Sequence, residues 1–253
     1  MPNSHKASDR RQPDALSGER DMTIKPALVL AFSWVGRFTL GAMRSNKVSP
    51  APRSSARKPA PATGQAKGHA AHEVRIIGGQ WRRTRLKVID KPGLRPTPDR
   101  VRETLFNWLG QDLAGWRCVD AFAGTGALGL EAASRGASHV LMLEQDPALV
   151  SALQAHVLRL QAGMVQVQRA DAITALQRLP AGSVDLVFID PPFDGPWFES
   201  ALKAAAAAVP VGGWVYLEAP VAWTDETLGV WGLKVERHLK AGAVHAHLLQ
   251  RTA

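Results

Sequence analysis

Two short runs carry side chains able to do chemistry: Asp120-Ala-Phe-Ala-Gly-Thr-Gly126 and Asp190-Pro-Pro-Phe193. Each follows an apolar, strand-like stretch. In the first, Gly124 and Gly126 lack side chains, so the backbone can approach a ligand closely. In the second, Pro191 and Pro192 stiffen the turn. Asp190 can accept one N–H of a planar amino group and the Pro191 carbonyl the other, while Phe193 can stack on the attached ring. Together the runs suggest methyl transfer from S-adenosylmethionine to an exocyclic nitrogen. Such an amine is a poor nucleophile because its lone pair is delocalised into the ring. No covalent intermediate is required. The protein must orient the amine in line with the sulfonium methyl and stabilise charge as nitrogen becomes tetrahedral. A base inside a duplex cannot reach such a turn, so it must be unpaired or flipped.

Acidic residues at neighbouring strand ends complete a cofactor pattern. Glu144 can take two ribose hydroxyls, and Asp171 can accept from an adenine amino group. Asp120 suits the positive amino group at the methionine end, and Phe122 lies within the same turn. NAD fits part of this. However, Gly-x-Gly-x-x-Gly occurs only as Gly124-Thr-Gly126-Ala-Leu-Gly129, shifted relative to Asp120, and nothing suggests hydride chemistry. The lone cysteine, Cys118, rules out an internal disulfide and a cysteine-rich zinc site. No cysteine is placed to methylate a ring carbon, which favours nitrogen as the acceptor.

These turns need a scaffold, and the pattern supplies one. From Arg117 on, apolar runs and helical patterns alternate. Strands are expected at Cys118–Phe122, His139–Leu143, Val165–Gln168, Val184–Ile189 and Trp214–Leu217. Between them fall helices at Gly126–Arg135, from Asp146-Pro147 to about Leu160, from Asp171, and through Ala204–Ala208. Leu233–Leu239 and Val244–Gln250 read as a closing antiparallel hairpin joined by Lys240-Ala-Gly. Alternation of this kind means an α/β, doubly wound, mostly parallel sheet. The closing hairpin is unlike a dinucleotide dehydrogenase and like a class I methyltransferase. Upstream, Thr97 is the expected N-cap of a helix with Pro98 at its first position and Asp99 near its positive end. Val74–Gly79 and Leu86–Ile89 read as two short strands around the basic turn Trp81-Arg-Arg-Thr-Arg85.

The chain of 253 residues carries a net charge of +9, unevenly placed. Residues 1–73 hold +7, residues 74–100 hold +6, and residues 101–253 hold −4. A basic arm on an acidic body suggests a polyanionic partner, most simply nucleic acid. Residues 1–73 read as a disordered basic tail, and Met43 is an alternative start that would make residues 1–42 an upstream extension. Pro26–Met43, interrupted by Ser33, Arg37 and Thr39, is a poor membrane span and a poor signal peptide. A cytoplasmic monomer without metal is expected.

The chain also resembles a known family, the bacterial small-subunit ribosomal RNA guanine-N2 methyltransferases (RsmD family). The likeness runs over about residues 74–251 and rests on Arg75-Ile-Ile-Gly-Gly-Gln-Trp-Arg-Arg83, Arg95-Pro-Thr-Pro-Asp-Arg-Val-Arg-Glu-Thr-Leu-Phe-Asn107, the run from Asp120 to Ala133, and Asp190-Pro-Pro-Phe193. The second stretch is the most discriminating. The resemblance implies a Rossmann-like, mostly parallel seven-stranded sheet ending in an antiparallel hairpin, with a small N-terminal β-hairpin extension. It implies methylation of N2 of guanine 966 in 16S ribosomal RNA within the assembling small subunit. Asp190, Pro191, Pro192 and Phe193 would hold the guanine, and Asp120, Phe122, Gly124, Gly126, Glu144 and Asp171 the cofactor. Residues 74–96 would be an RNA-binding hairpin and residues 97–253 the methyltransferase domain. Arg82, Arg83 and Arg85 are phosphate candidates, with Arg75 in the same element. Trp81 can stack on a base or pack the hairpin down, and Arg95 and Arg100 can face cofactor or RNA. Two other functions use the same features: a DNA or RNA adenine-N6 methyltransferase, and a non-catalytic ribosome-assembly RNA-binding protein.

Overall fold

A computed structural model describes residues 73–89, 91 and 97–253. The expectations for the basic tail, Met43, Pro26–Met43 and Arg95 fall outside these residues. Seven strands form one sheet: β3 (Arg117–Asp120), β4 (His139–Glu144), β5 (Val165–Arg169), β6 (Leu186–Ile189), β7 (Trp214–Ala219), β8 (Leu233–Ala241) and β9 (Val244–Arg251). Their spatial order is β5-β4-β3-β6-β7-β9-β8. The first five are mutually parallel, while β9 runs antiparallel to both β7 and β8. This is the Rossmann-like, class I methyltransferase architecture with its antiparallel closing hairpin.

Helices cover both faces, as parallel strands buried on both sides require. One core gathers Phe106, Leu130, Met142, Phe188 and Tyr216; the other gathers Val119, Leu143, Val187, Leu202 and Leu217. The all-buried run Leu186-Val-Phe-Ile189 at the sheet centre feeds both. Strand order reverses between β3 and β6, so a crevice opens above their carboxyl ends, where such sheets bind ligands.

The helices follow their sequence signals closely: α2 (Ala127–Ser134), α3 (Pro147–Leu160), α4 (Ala172–Gln177) and α5 (Phe198–Ala208). Asp146 caps α3 by accepting from the Ala148 and Leu149 amides at 3.0 Å each, with Pro147 at the first position. Helix α1 (Asp99–Trp108) corrects one expectation. Its N-cap is Pro98 and no side chain caps it. The Thr97 hydroxyl points instead at Asp190, because the end of β6 lies within its reach.

Before α1, β1 (Glu73–Arg75) and β2 (Arg85–Lys87) form a short antiparallel hairpin. Val74, Ile76 and Leu86 are almost wholly buried in the same core as α1 and α2. Each such side chain contributes about 1.5–3 kcal/mol. The connecting turn is tied to α2 by polar contacts. Gln80 N–H donates to the Ser134 carbonyl at 2.8 Å, and Trp81 N–H to the Ser134 hydroxyl at 3.0 Å. Gly79 has φ +70°, and a Cβ there would strike the Ser134 carbonyl, so both the conformation and the close approach require glycine.

Candidate active site

The register of the sheet brings the two motifs together. Asp120 pairs with Phe188 across β3 and β6, so the glycine turn and Asp190 emerge side by side at the reversal point. Gly124 and Gly126 have φ of +49° and +78°. A Cβ on Gly126 would lie 2.6 Å from Leu153 Cδ2, leaving no room for a side chain there. Gly129 lets α2 approach β4 and donates its amide to Asp120 Oδ2 at 2.8 Å.

The acidic residues divide by environment. Asp120 is 2% exposed, and burial pushes its carboxyl up to about 7 against the opposing pull of the Gly129 amide. Glu144, half-buried at the end of β4, accepts the Gly124 amide on one oxygen at 3.0 Å and the Asp146 amide on the other at 2.8 Å. It therefore holds the glycine turn open and keeps lone pairs for further donors. Asp171 is exposed and caps α4 through the Thr174 amide at 2.8 Å, while Gln145 Nε2 donates to its other oxygen at 2.8 Å. These donors hold its carboxyl below the usual range. Phe122 is half-buried against the second core. The donor set fits the methyl-carrying cofactor: a glycine cradle without side chains, a buried acid beside it, a half-buried acid at the end of β4 and an exposed acid just past β5.

At the end of β6, Asp190 Oδ2 accepts the Thr97 hydroxyl at 3.2 Å. Burial, then the neighbouring Glu218, hold its carboxyl well above the usual range. Pro191 is buried, Pro192 is exposed, and Phe193 is 39% exposed with its ring 6.4 Å from that of Phe198. Thus the turn presents an acceptor at its base and an aromatic face at its rim. Glu218, at the end of β7, is 3% exposed and accepts the Tyr216 hydroxyl at 2.8 Å. Sequence reasoning missed Glu218, although an acid closing an apolar strand is the signal that identified Glu144 and Asp190. Cys118 is buried on β3, and burial pushes its thiol far up, so it is no nucleophile.

The arginine candidates are placed elsewhere. Helix α2 starts at the glycine turn and ends at Ser134, against which the Trp81–Arg83 turn packs. At 1.5 Å per residue that is ~12 Å away. Arg82, Arg83 and Arg85 are exposed there, and Trp81 packs against the core. A cavity of about 420 Å³ lies beside this turn, lined by Ile77, Gly78, Arg82, Glu103, Asn107 and Arg135, and includes no candidate catalytic side chain. Arg75 pairs with Asp99 at 3.2 Å, and Arg100 is exposed in the first turn of α1, three residues after Thr97.

On the closing hairpin, His247 is fully buried, accepts the Trp223 amide at 3.1 Å, and is pulled down to about 4 by burial. Among the described residues, no group of three or more His, Cys, Asp and Glu could hold a metal ion, and no helix is long and apolar enough to cross a membrane.

Comparison with known proteins gives a consistent picture. The family model described as conserved hypothetical protein 95 matches residues 74–250. Ribosomal RNA small subunit methyltransferase D of Escherichia coli K12 is 40% identical over 188 residues, covering 72% of this chain and 91% of that protein. Its namesake in Haemophilus influenzae is 43% identical over 140 residues, covering 53% and 72%. Among solved structures, the candidate methyltransferase yhhF of Escherichia coli superposes with a TM-score of 0.63 at 38% identity, covering 72% of this chain and 99% of that one.

Proposed function

The chain belongs to the family of conserved hypothetical protein 95, and from that premise we propose that it methylates the exocyclic N2 of a guanine in small-subunit ribosomal RNA, with S-adenosylmethionine as donor. The observation that carries the reading is the pairing of Asp120 with Phe188, which sets the glycine turn beside Asp190 at the reversal point of the sheet. Asp120 would hold the amino group of the donor's methionine, Glu144 the ribose hydroxyls, and Asp171 the adenine. When bound, the donor would supply a methyl made electrophilic by its sulfonium, its carbon–sulfur bond breaking as the nitrogen–carbon bond forms. Asp190 and the Pro191 carbonyl fix the two N–H bonds of the guanine amine, aiming its lone pair, and Phe193 stacks on the ring. As nitrogen becomes positive, the Asp190 carboxylate stabilises it and accepts its proton. That carboxylate competes for the proton better than an ordinary one because its surroundings raise its proton affinity. Arg100, three residues after Thr97, is a phosphate contact. Arg82, Arg83 and Arg85, at the far end of α2, engage a more distant part of the RNA.

The test is incubation with labelled S-adenosylmethionine and small ribosomal subunits lacking base methylation, followed by nucleoside analysis. Label in N2-methylguanosine at one site is the expected result. Label in N6-methyladenine would replace the guanine reading with the adenine one, and calorimetry showing no donor binding would favour a non-catalytic RNA-binding protein.

A further inference from the structure

Beneath the catalytic turn lies a polar cluster that the reaction as described does not use. In the parallel pairing of β6 and β7, Ile189 stands opposite Leu217, so Asp190, the first residue past β6, lies beside Glu218, which is still within β7 and pairs with Ala246 of β9. Glu218 is 3% exposed and is held from below by the Tyr216 hydroxyl at 2.8 Å. Tyr216 is itself fully buried, its ring edge-on to Phe188 at 6.2 Å. The Thr97 hydroxyl reaches Asp190 at 3.2 Å and also bears on Glu218. The other ionisable groups that act on the pair are Asp120 from β3 and Arg102 from α1, while β9 presents only Ala246 opposite Glu218. Arg102 is already engaged by Asp99 at 2.5 Å and by Glu131 at 3.7 Å. The buried Glu218 and the half-buried Asp190 therefore stand together, with one threonine hydroxyl acting on both and no ion-pair partner among the described residues.

Resting on the methyltransferase reading, we infer that Glu218 is a positioning residue that makes Asp190 a proton acceptor by sharing one proton with it. Like charges this close cannot both ionise easily, so the first proton binds the pair more strongly than it would bind either group alone. Burial raises the proton affinity of Asp190, and charge on Glu218 acts in the same direction. During turnover, one N–H bond of the methylated amine breaks, its electron pair returns to nitrogen, and an O–H bond forms on Asp190. The proton is then divided between the two carboxyl groups and leaves to water before the next substrate binds. The Tyr216 and Thr97 hydroxyls stabilise whichever group is ionised, so the charge never stands unpaired.

The decisive experiment is a carbon-13 titration of the carboxyl carbons in the full chain without substrate, alongside the pH dependence of kcat on small ribosomal subunits. In the unchanged protein, the Asp190 carbon should titrate well above the ordinary aspartate range. In Glu218→Gln its midpoint should fall by about one pH unit or more, a tenfold loss of proton affinity. The acid limb of kcat should move down with it, while donor affinity holds. Tyr216→Phe keeps the ring packing and removes one donor from Glu218. Glu218 then holds the proton more of the time and the Asp190 midpoint shifts the same way by less, so this variant decides the matter if Glu218→Gln does not fold. An Asp190 midpoint unmoved in the folded variants would overturn the pair, and a moved midpoint with an unmoved kcat limb would overturn its part in the reaction. The titration needs no RNA, so it stands whether or not guanine is the substrate.

Discussion

Glu131 and Glu218 are both enclosed carboxylates, 0% and 3% exposed, and their surroundings are opposite. Glu131 accepts the Ile77 and Gly78 amides at 2.7 Å each and Arg135 Nε at 2.8 Å, with Arg102 3.7 Å away. Three donors reach its two oxygens, and two guanidinium groups balance the charge. Glu218 has two hydroxyls and, beside it, the acid Asp190, and its carboxyl is pushed up by burial. One carboxylate is built to hold elements together. The other is built so that a proton can come and go. Burial alone distinguishes nothing; the donors around a buried acid separate a staple from a working group.

The largest effect expected from this contrast is at Asp190. Asp190→Ala should lower kcat about a thousandfold, with donor affinity and thermal stability nearly unchanged by calorimetry. Full activity in that variant would sink the assignment. Glu131→Ala should do the reverse. It leaves Arg135 and two amides without their acceptor and takes one of two carboxylates from Arg102, should cost about 3–5 kcal/mol and lower Tm by roughly 10 °C, yet the folded fraction should keep its kcat.

Asp120 combines both behaviours. Its carboxyl sits at about 7 in the folded chain, above its ordinary value. The folded state thus binds the proton more tightly than the unfolded one, and this contribution to stability is lost as pH rises through about 7. Asp120→Asn should therefore raise Tm at pH 8, by ~2–4 °C per kcal/mol recovered, while weakening donor binding about tenfold. In the unchanged protein, donor affinity should fall as pH drops below about 7, because the protonated acid no longer attracts an ammonium. The smallest effect belongs to the basic turn. Replacing Arg82, Arg83 and Arg85 by alanine should leave kcat intact and reduce the salt dependence of RNA affinity, by about 0.7 per lost phosphate contact on a log–log plot. An unchanged slope would remove the turn from the RNA interface.

Most of the sheet was legible in the sequence because its signals are local. Alternating apolar runs, Asp146-Pro147 and the glycine turn each specify an element without help from distant residues. Acids at the ends of β3, β4 and β6 could be read as a set, and Glu218 at the end of β7 extends it. What could not be read depends on contacts between distant segments. The Thr97 hydroxyl has the sequence of an N-cap and the position of a ligand to Asp190, 93 residues away. Likewise, nothing local says that Glu131 turns inward to meet Ile77 and Gly78, or that the arginine turn lies at the far end of α2 from the glycine turn.

The attachment of the hairpin to Glu131 has a consequence for inheritance. Amides of Ile77 and Gly78 complete the shell of an acid that belongs to a helix of the sheet domain. A descendant that sheds the hairpin uncovers the apolar seat of Val74, Ile76 and Leu86 and takes two of the three hydrogen bonds from Glu131 in the same stroke. A descendant that first loses the acid leaves Arg135 without this partner and Arg102 with Asp99 alone. Neither single step is neutral, so the hairpin and Glu131 should pass down lineages as one unit, gained or lost together.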